Sequence, residues 1–125
     1  MGFQERCRAF LARNGLGHTP QIHALDLVSE VGELAKALLE GCDYGASPLQ
    51  PTSALEDELG DAFFSLAALA ESLDVDLGTA LDKALKKYET RLAERSRTGS
   101  RDKPATATDL ETDHEHKEHT NTDEG

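Results

Sequence analysis

Two stretches of this chain carry the same arrangement: apolar residues at helical spacing with a pair of carboxylates along one margin. In the first, Leu27, Val28, Val31, Leu34, Ala35 and Leu38 sweep one arc of a helical wheel. Glu30 sits at the border of that arc and Glu33 one step outside it. In the second, Leu55, Leu59, Ala62, Phe63, Leu66, Leu69 and Leu73 form the arc, with Glu58 at its edge and Asp61 one step beyond. Carboxylates three residues apart project from the same side of a helix. When the two apolar seams pack as an antiparallel pair, the carboxylates of Glu30, Glu33, Glu58 and Asp61 are expected at one place. Four negative charges crowd together only around positive charge, and all-oxygen ligands suit Mg²⁺, with Mn²⁺ as a substitute. A glycine lies inside each pair, Gly32 and Gly60. It costs about 1 kcal/mol of helix stability relative to alanine, so the expected return is close approach of another helix or a ligand.

The remaining chain supports an all-α reading. A first amphipathic helix is expected over residues 2–13, with Phe3, Phe10 and Leu11 as its apolar positions, closed by the Asn14-Gly15-Leu16-Gly17 turn. Thr19-Pro20 opens a second helix running to about Leu39, and Gly41, Gly45, Pro48 and Pro51 make a loop after it. Ser53, with Glu56 three residues on, has the pattern of a capping box for a third helix over 53–72. Asp74-Val75-Asp76 reads as a turn and cap before a fourth helix from Leu77 to about Arg95. Leu77, Ala80, Leu81, Ala84, Leu85, Tyr88 and Leu92 are its expected inward face. No strand period appears. The fold class is a small bundle of about four helices, residues 1–98, followed by an acidic tail over 99–125 expected to be disordered.

Composition limits the partners. The 125 residues carry 24 acidic and 13 basic side chains, a net charge of −11, and 38% are hydrophobic. That charge argues against non-specific nucleic-acid binding. No apolar run has the length of a membrane span, and the first ten residues have no apolar signal core, so a cytoplasmic protein is expected. Cys7 and Cys42 are expected to be reduced, core-filling residues. Apolar residues on outer faces, such as Leu39, Phe64 and Ala67, need covering, which points to a homodimer or homotetramer with the substrate pocket near a subunit interface.

The stretch Ser29-Glu30-Val31-Gly32-Glu33-Leu34 resembles the first metal-binding helix of the MazG-like, all-α nucleoside triphosphate pyrophosphohydrolases. Glu56-Asp57-Glu58-Leu59-Gly60-Asp61 resembles their second acidic motif, and Ala80 to Arg91 their following basic helix. The resemblance covers roughly residues 18–95. His18-Thr19-Pro20 is similar to the lead-in of the dCTP-pyrophosphatase-like branch. That branch stacks its base on tryptophans and this chain has none, so Phe3, Phe10, Tyr44 or Phe64 would have to serve. Ser29 stands where many members carry a further glutamate.

The resemblance implies Mg²⁺-dependent hydrolysis of the α–β phosphoanhydride of a nucleoside triphosphate to the monophosphate and pyrophosphate, in a house-cleaning role. Glu30, Glu33, Glu58 and Asp61 would hold the metal. Lys83, Lys87 and Arg91 recur every four residues on one edge of the fourth helix and offer charge to the leaving pyrophosphate; a solubilising face is the plainer reading. His18 and His23 are candidate substrate-binding residues, with structural histidines as the alternative. Asp26, Ser65 and Tyr44 are weaker candidates. His114, His116 and His119 read as part of a solvated acidic tail or a loose metal site. The alternatives are a phosphoribosyl-ATP pyrophosphohydrolase and a non-catalytic helical nucleotide-binding or interaction module.

Overall fold

The computed structural model describes residues 1–99, and every one of the regular elements among them is helical. Four α-helices follow one another: α1 (Phe3–Asn14), α2 (Pro20–Gly41), α3 (Ser53–Ser72) and α4 (Leu77–Gly99), with a single 3₁₀ turn at Asp43–Gly45. The chain divides into two units, Met1–Leu85 and Lys86–Gly125. The expected acidic tail, with His114, His116 and His119, lies outside the described residues.

In the first unit α2 and α3 form the principal helix pair, and α1 packs against α3. Each boundary has a local cause. Gly15 adopts the left-handed conformation (φ 61°, ψ 35°) and closes α1, with the Leu16 N–H donating to Leu11 O at 3.0 Å. Pro20 occupies the first turn of α2, where its missing N–H costs nothing. Thr19 is the cap residue by backbone position, but its side chain makes no capping bond. Gly41 is the last residue of α2, and the returning loop packs closely on it: an added Cβ would lie 2.9 Å from Leu49 Cδ1, and the Gln50 N–H donates to Gly41 O at 3.0 Å. At the next helix start Thr52, not Ser53, is the cap residue, and no side-chain capping bond forms there. The capping-box reading of Ser53 and Glu56 is therefore corrected: Ser53 is already inside the helix. The turn between α3 and α4 places Asp74 at φ 53° and brings the Val75 N–H to Ala70 O at 2.9 Å. Asp76 Oδ1 then accepts the Thr79 N–H at 2.7 Å, the expected cap of α4.

The core is built from small side chains. Leu11, Ala67, Ala68 and Ala70 are its buried apolar members, joined by His23 and Ser65. Three expectations change here. Ala67 is not an outer-face residue but fully buried, because small side chains let α3 approach its neighbours. Phe3 and Phe10 remain exposed, and only Leu11 of the three expected α1 positions is buried. Leu81, Leu85, Tyr88 and Leu92 of α4 are also exposed, so their apolar period does not mark a face buried in the chain. Cys7 and Cys42 are free thiols, each half-buried; burial pushes the Cys7 thiol above its ordinary value.

Candidate metal centre

Glu30 comes from the middle of α2, and Glu58 and Asp61 from the first half of α3. One carboxylate oxygen of each lies within 4.8 Å of those of the other two. His23, Leu27, Glu30 and Leu34 of α2 and Leu55, Glu58, Ala62, Ser65 and Leu69 of α3 are buried or half-buried positions at three- and four-residue spacing, so Glu30 and Glu58 stand within the covered stripe of each helix. The expected arcs are corrected accordingly: Val28, Val31 and Leu38 of α2 and Leu59, Phe63, Leu66 and Leu73 of α3 are exposed. Glu30 and Glu58 are half-buried and Asp61 is exposed. Glu33 is not one of this converging group, but it is near enough for its charge to act on Glu58.

The carboxylates of the group act on one another. The Glu58 carboxyl is held above its ordinary range, first by partial loss of solvent and then by the negative charges of Asp61, Glu33, Glu30 and Asp57. Among the described residues the salt bridge is Arg8 to Glu71, and no lysine or arginine pairs with Glu30, Glu33, Glu58 or Asp61. Three unpaired carboxylates from two helices fit a hard divalent cation, whose oxygen ligands stand about 2.0–2.1 Å away for Mg²⁺.

The glycines within the two pairs have open space around them. A Cβ added at Gly32 or Gly60 meets nothing within 4 Å. The close approach expected at these positions is therefore not made by the described residues.

The histidines form a separate feature. His23 is buried, and its Nε2 accepts the His18 backbone N–H at 3.1 Å, with the two rings 5.6 Å apart. A small cavity of about 150 Å³ brings His18 and His23 together with Asp26 and Ser65. In this arrangement His23 ties the linker before α2 to the helix itself. Tyr44 is exposed in the loop after α2 at φ 54°.

Of the basic stripe, Lys83 lies on α4 within the first unit. Lys87 and Arg91 belong to the second, where Lys87 Nζ stands 5.2 Å from the centre of the Tyr88 ring. All three are exposed.

Two polar residues of α1 make contacts that the sequence does not announce. Arg8 Nε donates to Glu71 Oε2 at 2.8 Å. Gln4 Nε2 donates to Glu71 Oε1 at 2.9 Å and to Val75 O at 2.7 Å, while Gln4 Oε1 accepts the Leu77 N–H at 2.7 Å. The signal available in the sequence was the one-turn spacing of Gln4 and Arg8, but their partners lie more than sixty residues away and carry no local mark.

The family model of the MazG nucleotide pyrophosphohydrolase domain matches residues 18–96. The chain is 40% identical over 68 residues to YpjD of Bacillus subtilis, an uncharacterized protein; the match takes in 52% of this chain and spans 60% of YpjD's length. Two crystal structures are similar in fold. One is that of the Bacillus-conserved MazG protein, a nucleotide pyrophosphohydrolase, at 29% identity and a TM-score of 0.57, over 68% of this chain and 83% of that one. The other is YPJD from Bacillus subtilis, at 34% identity and a TM-score of 0.59, over 70% of this chain and 90% of that one.

Proposed function

The chain belongs to the MazG nucleotide pyrophosphohydrolase family, and from that membership we propose that it hydrolyses the α–β phosphoanhydride of nucleoside or deoxynucleoside triphosphates, releasing the monophosphate and pyrophosphate. The observation that carries this reading is the convergence of Glu30, Glu58 and Asp61 with no cationic partner among the described residues. A triphosphate cannot approach such a group unaided. Divalent cations, Mg²⁺ by preference and Mn²⁺ as a substitute, supply the neutralising charge and make water a better nucleophile at neutral pH when bound.

In this proposal Glu30, Glu58 and Asp61 hold the cation. Glu33, outside the converging three, orients the attacking water and receives its proton. The water oxygen bonds to the α-phosphorus as the bond to the bridging oxygen breaks, and that electron pair leaves with pyrophosphate. Lys83, Lys87 and Arg91 offer positive charge to the departing group. His18 and His23 shape the linker beside the substrate region. The working assembly is a homodimer or homotetramer: Leu25 and Val28 are each 70% exposed and Leu59 57%, an apolar surface suited to a second copy. No described helix is long and apolar enough to cross a membrane. We place the protein in the cytoplasm, removing unwanted nucleotides.

The test is a pyrophosphate-release assay across the common NTPs and dNTPs, with and without Mg²⁺. Metal-dependent turnover of at least one nucleotide supports the proposal. Binding without turnover contradicts it in favour of a binding module.

A further inference from the structure

The buried polar residues His23 and Ser65 each carry a hydrogen-bonding group that the fold leaves unused. His23 is 5% exposed and Ser65 8%. Nε2 of His23 accepts the His18 N–H, so the neutral ring holds its proton on Nδ1, a donor. Among the described residues that donor has no acceptor, and the Ser65 hydroxyl, which can donate and accept, has no partner. Neither atom is sealed off from its surroundings. Both residues line the same cavity of about 150 Å³, with Phe64 and Ala68 as apolar wall and the exposed Asp26 as an anionic rim.

The helices tie this cavity to the carboxylate group. Asp26 stands four residues before Glu30 on α2, and Ser65 four residues after Asp61 on α3. Residues at that spacing are neighbours on one helix face, with about 5–6 Å between Cβ atoms. Both helices therefore carry the cavity one turn away from the group, and in the same direction along the pair. A drug-sized ligand fills roughly 300–1,000 Å³, so this cavity takes one fragment of a nucleotide. The sugar ring is joined to the α-phosphate through a single methylene, and the base lies beyond the ring. With the α-phosphate at the carboxylate group, one helical turn reaches the sugar. Sugar hydroxyls both donate and accept, which answers the His23 donor, the Ser65 hydroxyl and the Asp26 carboxylate together.

We infer that this cavity is the sugar subsite of the substrate, and that Ser65 and Nδ1 of His23 discriminate between nucleotides by their sugar hydroxyls. The inference rests on the hydrolase reading above and deepens it.

Two measurements test it. Ser65→Ala removes one hydroxyl and leaves the bond between His23 and His18 in place. The first measurement compares kcat/KM for the ribo, 2′-deoxy and 2′,3′-dideoxy triphosphates of one base. The wild type is expected to separate at least two of the three by about tenfold or more, the worth of a lost hydrogen bond, and Ser65→Ala to narrow that gap to about two- to threefold. A wild type indifferent to the sugar, or a gap unchanged in Ser65→Ala, overturns the inference. The second follows the His23 imidazole ¹⁵N signals as wild type is titrated with Mg²⁺ and the α,β-methylene analogue of the same triphosphate. The Nδ1 signal is expected to move on binding, and a bound analogue that leaves it unmoved overturns the inference. If the wild type turns over no nucleotide but the analogue binds and moves that signal, the hydrolase reading fails and the subsite stands. If nothing is turned over and nothing binds, both fail.

Discussion

Glu30 of α2 and Glu58 of α3 bring carboxylate oxygens within 4.8 Å of each other across the principal helix pair, with Asp61 completing the group. Like charges at that spacing repel, and the raised Glu58 value records that repulsion on top of partial desolvation. Such an arrangement opposes folding, so a cation bound there would be expected to raise stability.

Glu33 and Glu58 are expected to fail differently when neutralised. Glu58→Gln should abolish turnover and weaken divalent-cation binding together. Glu33→Gln should lower kcat by roughly 10²–10⁴, the range of a general base, while cation binding stays within a few-fold of wild type. Steady-state kinetics alongside a cation titration separates the two. Equal loss of binding in both variants would make Glu33 a ligand like the others.

The pH dependence of stability should differ above and below the ordinary carboxylate range. Glu58 has a folded-state value above its ordinary one. The folded chain therefore holds its proton longer than the unfolded chain, and stability falls as pH rises from the ordinary carboxylate value through the raised one. Glu71 and Asp76 are shifted down, Glu71 chiefly by the hydrogen bond from Arg8 and Asp76 by the backbone N–H of Thr79. Their contribution is present above the ordinary carboxylate range and is lost as pH falls through their lowered values. Melting curves of metal-free protein should show Glu58→Gln relieving the loss on the rising side and Glu71→Gln flattening the acid side. Saturating Mg²⁺ should act in wild type as Glu58→Gln does in metal-free protein. A wild-type profile insensitive to both changes would contradict these assignments.

Gly32 and Gly60 make a sharp pair of substitutions. Each is in a helix interior with open space where a Cβ would go. In an isolated chain, Gly32→Ala and Gly60→Ala should each add about 0.5–1 kcal/mol of stability. A loss of stability or of assembly at either site, read by melting and by light scattering, would show that a second chain packs there.

Leu11 is the large apolar residue of α1 that reaches the core, at 8% exposure. Leu11→Ala should cost about 2–3 kcal/mol by urea denaturation. Phe3→Ala, at 71% exposure, should cost far less in dilute solution. A large cost at Phe3 would place that ring in an interface.

The helical period and the turn residues made much of the fold legible. The span of α3 agrees with the structure at both ends, and Gly15, Pro20 and Asp76 act at the boundaries where their chemistry put them. The α2 helix runs two residues beyond the expected Leu39, to Gly41, and α4 runs to Gly99 instead of Arg95. The convergence of Glu30 with Glu58 and Asp61 agrees with the expectation that these carboxylates meet, but not with its stated cause, since Val28, Val31, Leu59 and Leu66 of the expected seams are exposed and Glu30 and Glu58 themselves are half-buried. Three things were not legible. A period marks which side of α4 is apolar, but not whether its cover lies in the same chain, and Leu81 and Leu85 are exposed. A cap position depends on one residue's backbone angles, which is why Thr52 displaced Ser53. Gln4 and Arg8 reach partners far away in sequence, and no local pattern announces them.

The most direct test of the central claim is titration of the nucleotide-free protein with Mn²⁺, followed by electron paramagnetic resonance, in wild type and in Glu30→Gln, Glu58→Gln and Asp61→Asn. Binding in the wild type, competed by Mg²⁺ and weakened at least about tenfold in each variant, is the expected result. Equal Mn²⁺ affinity in wild type and all three variants would contradict it.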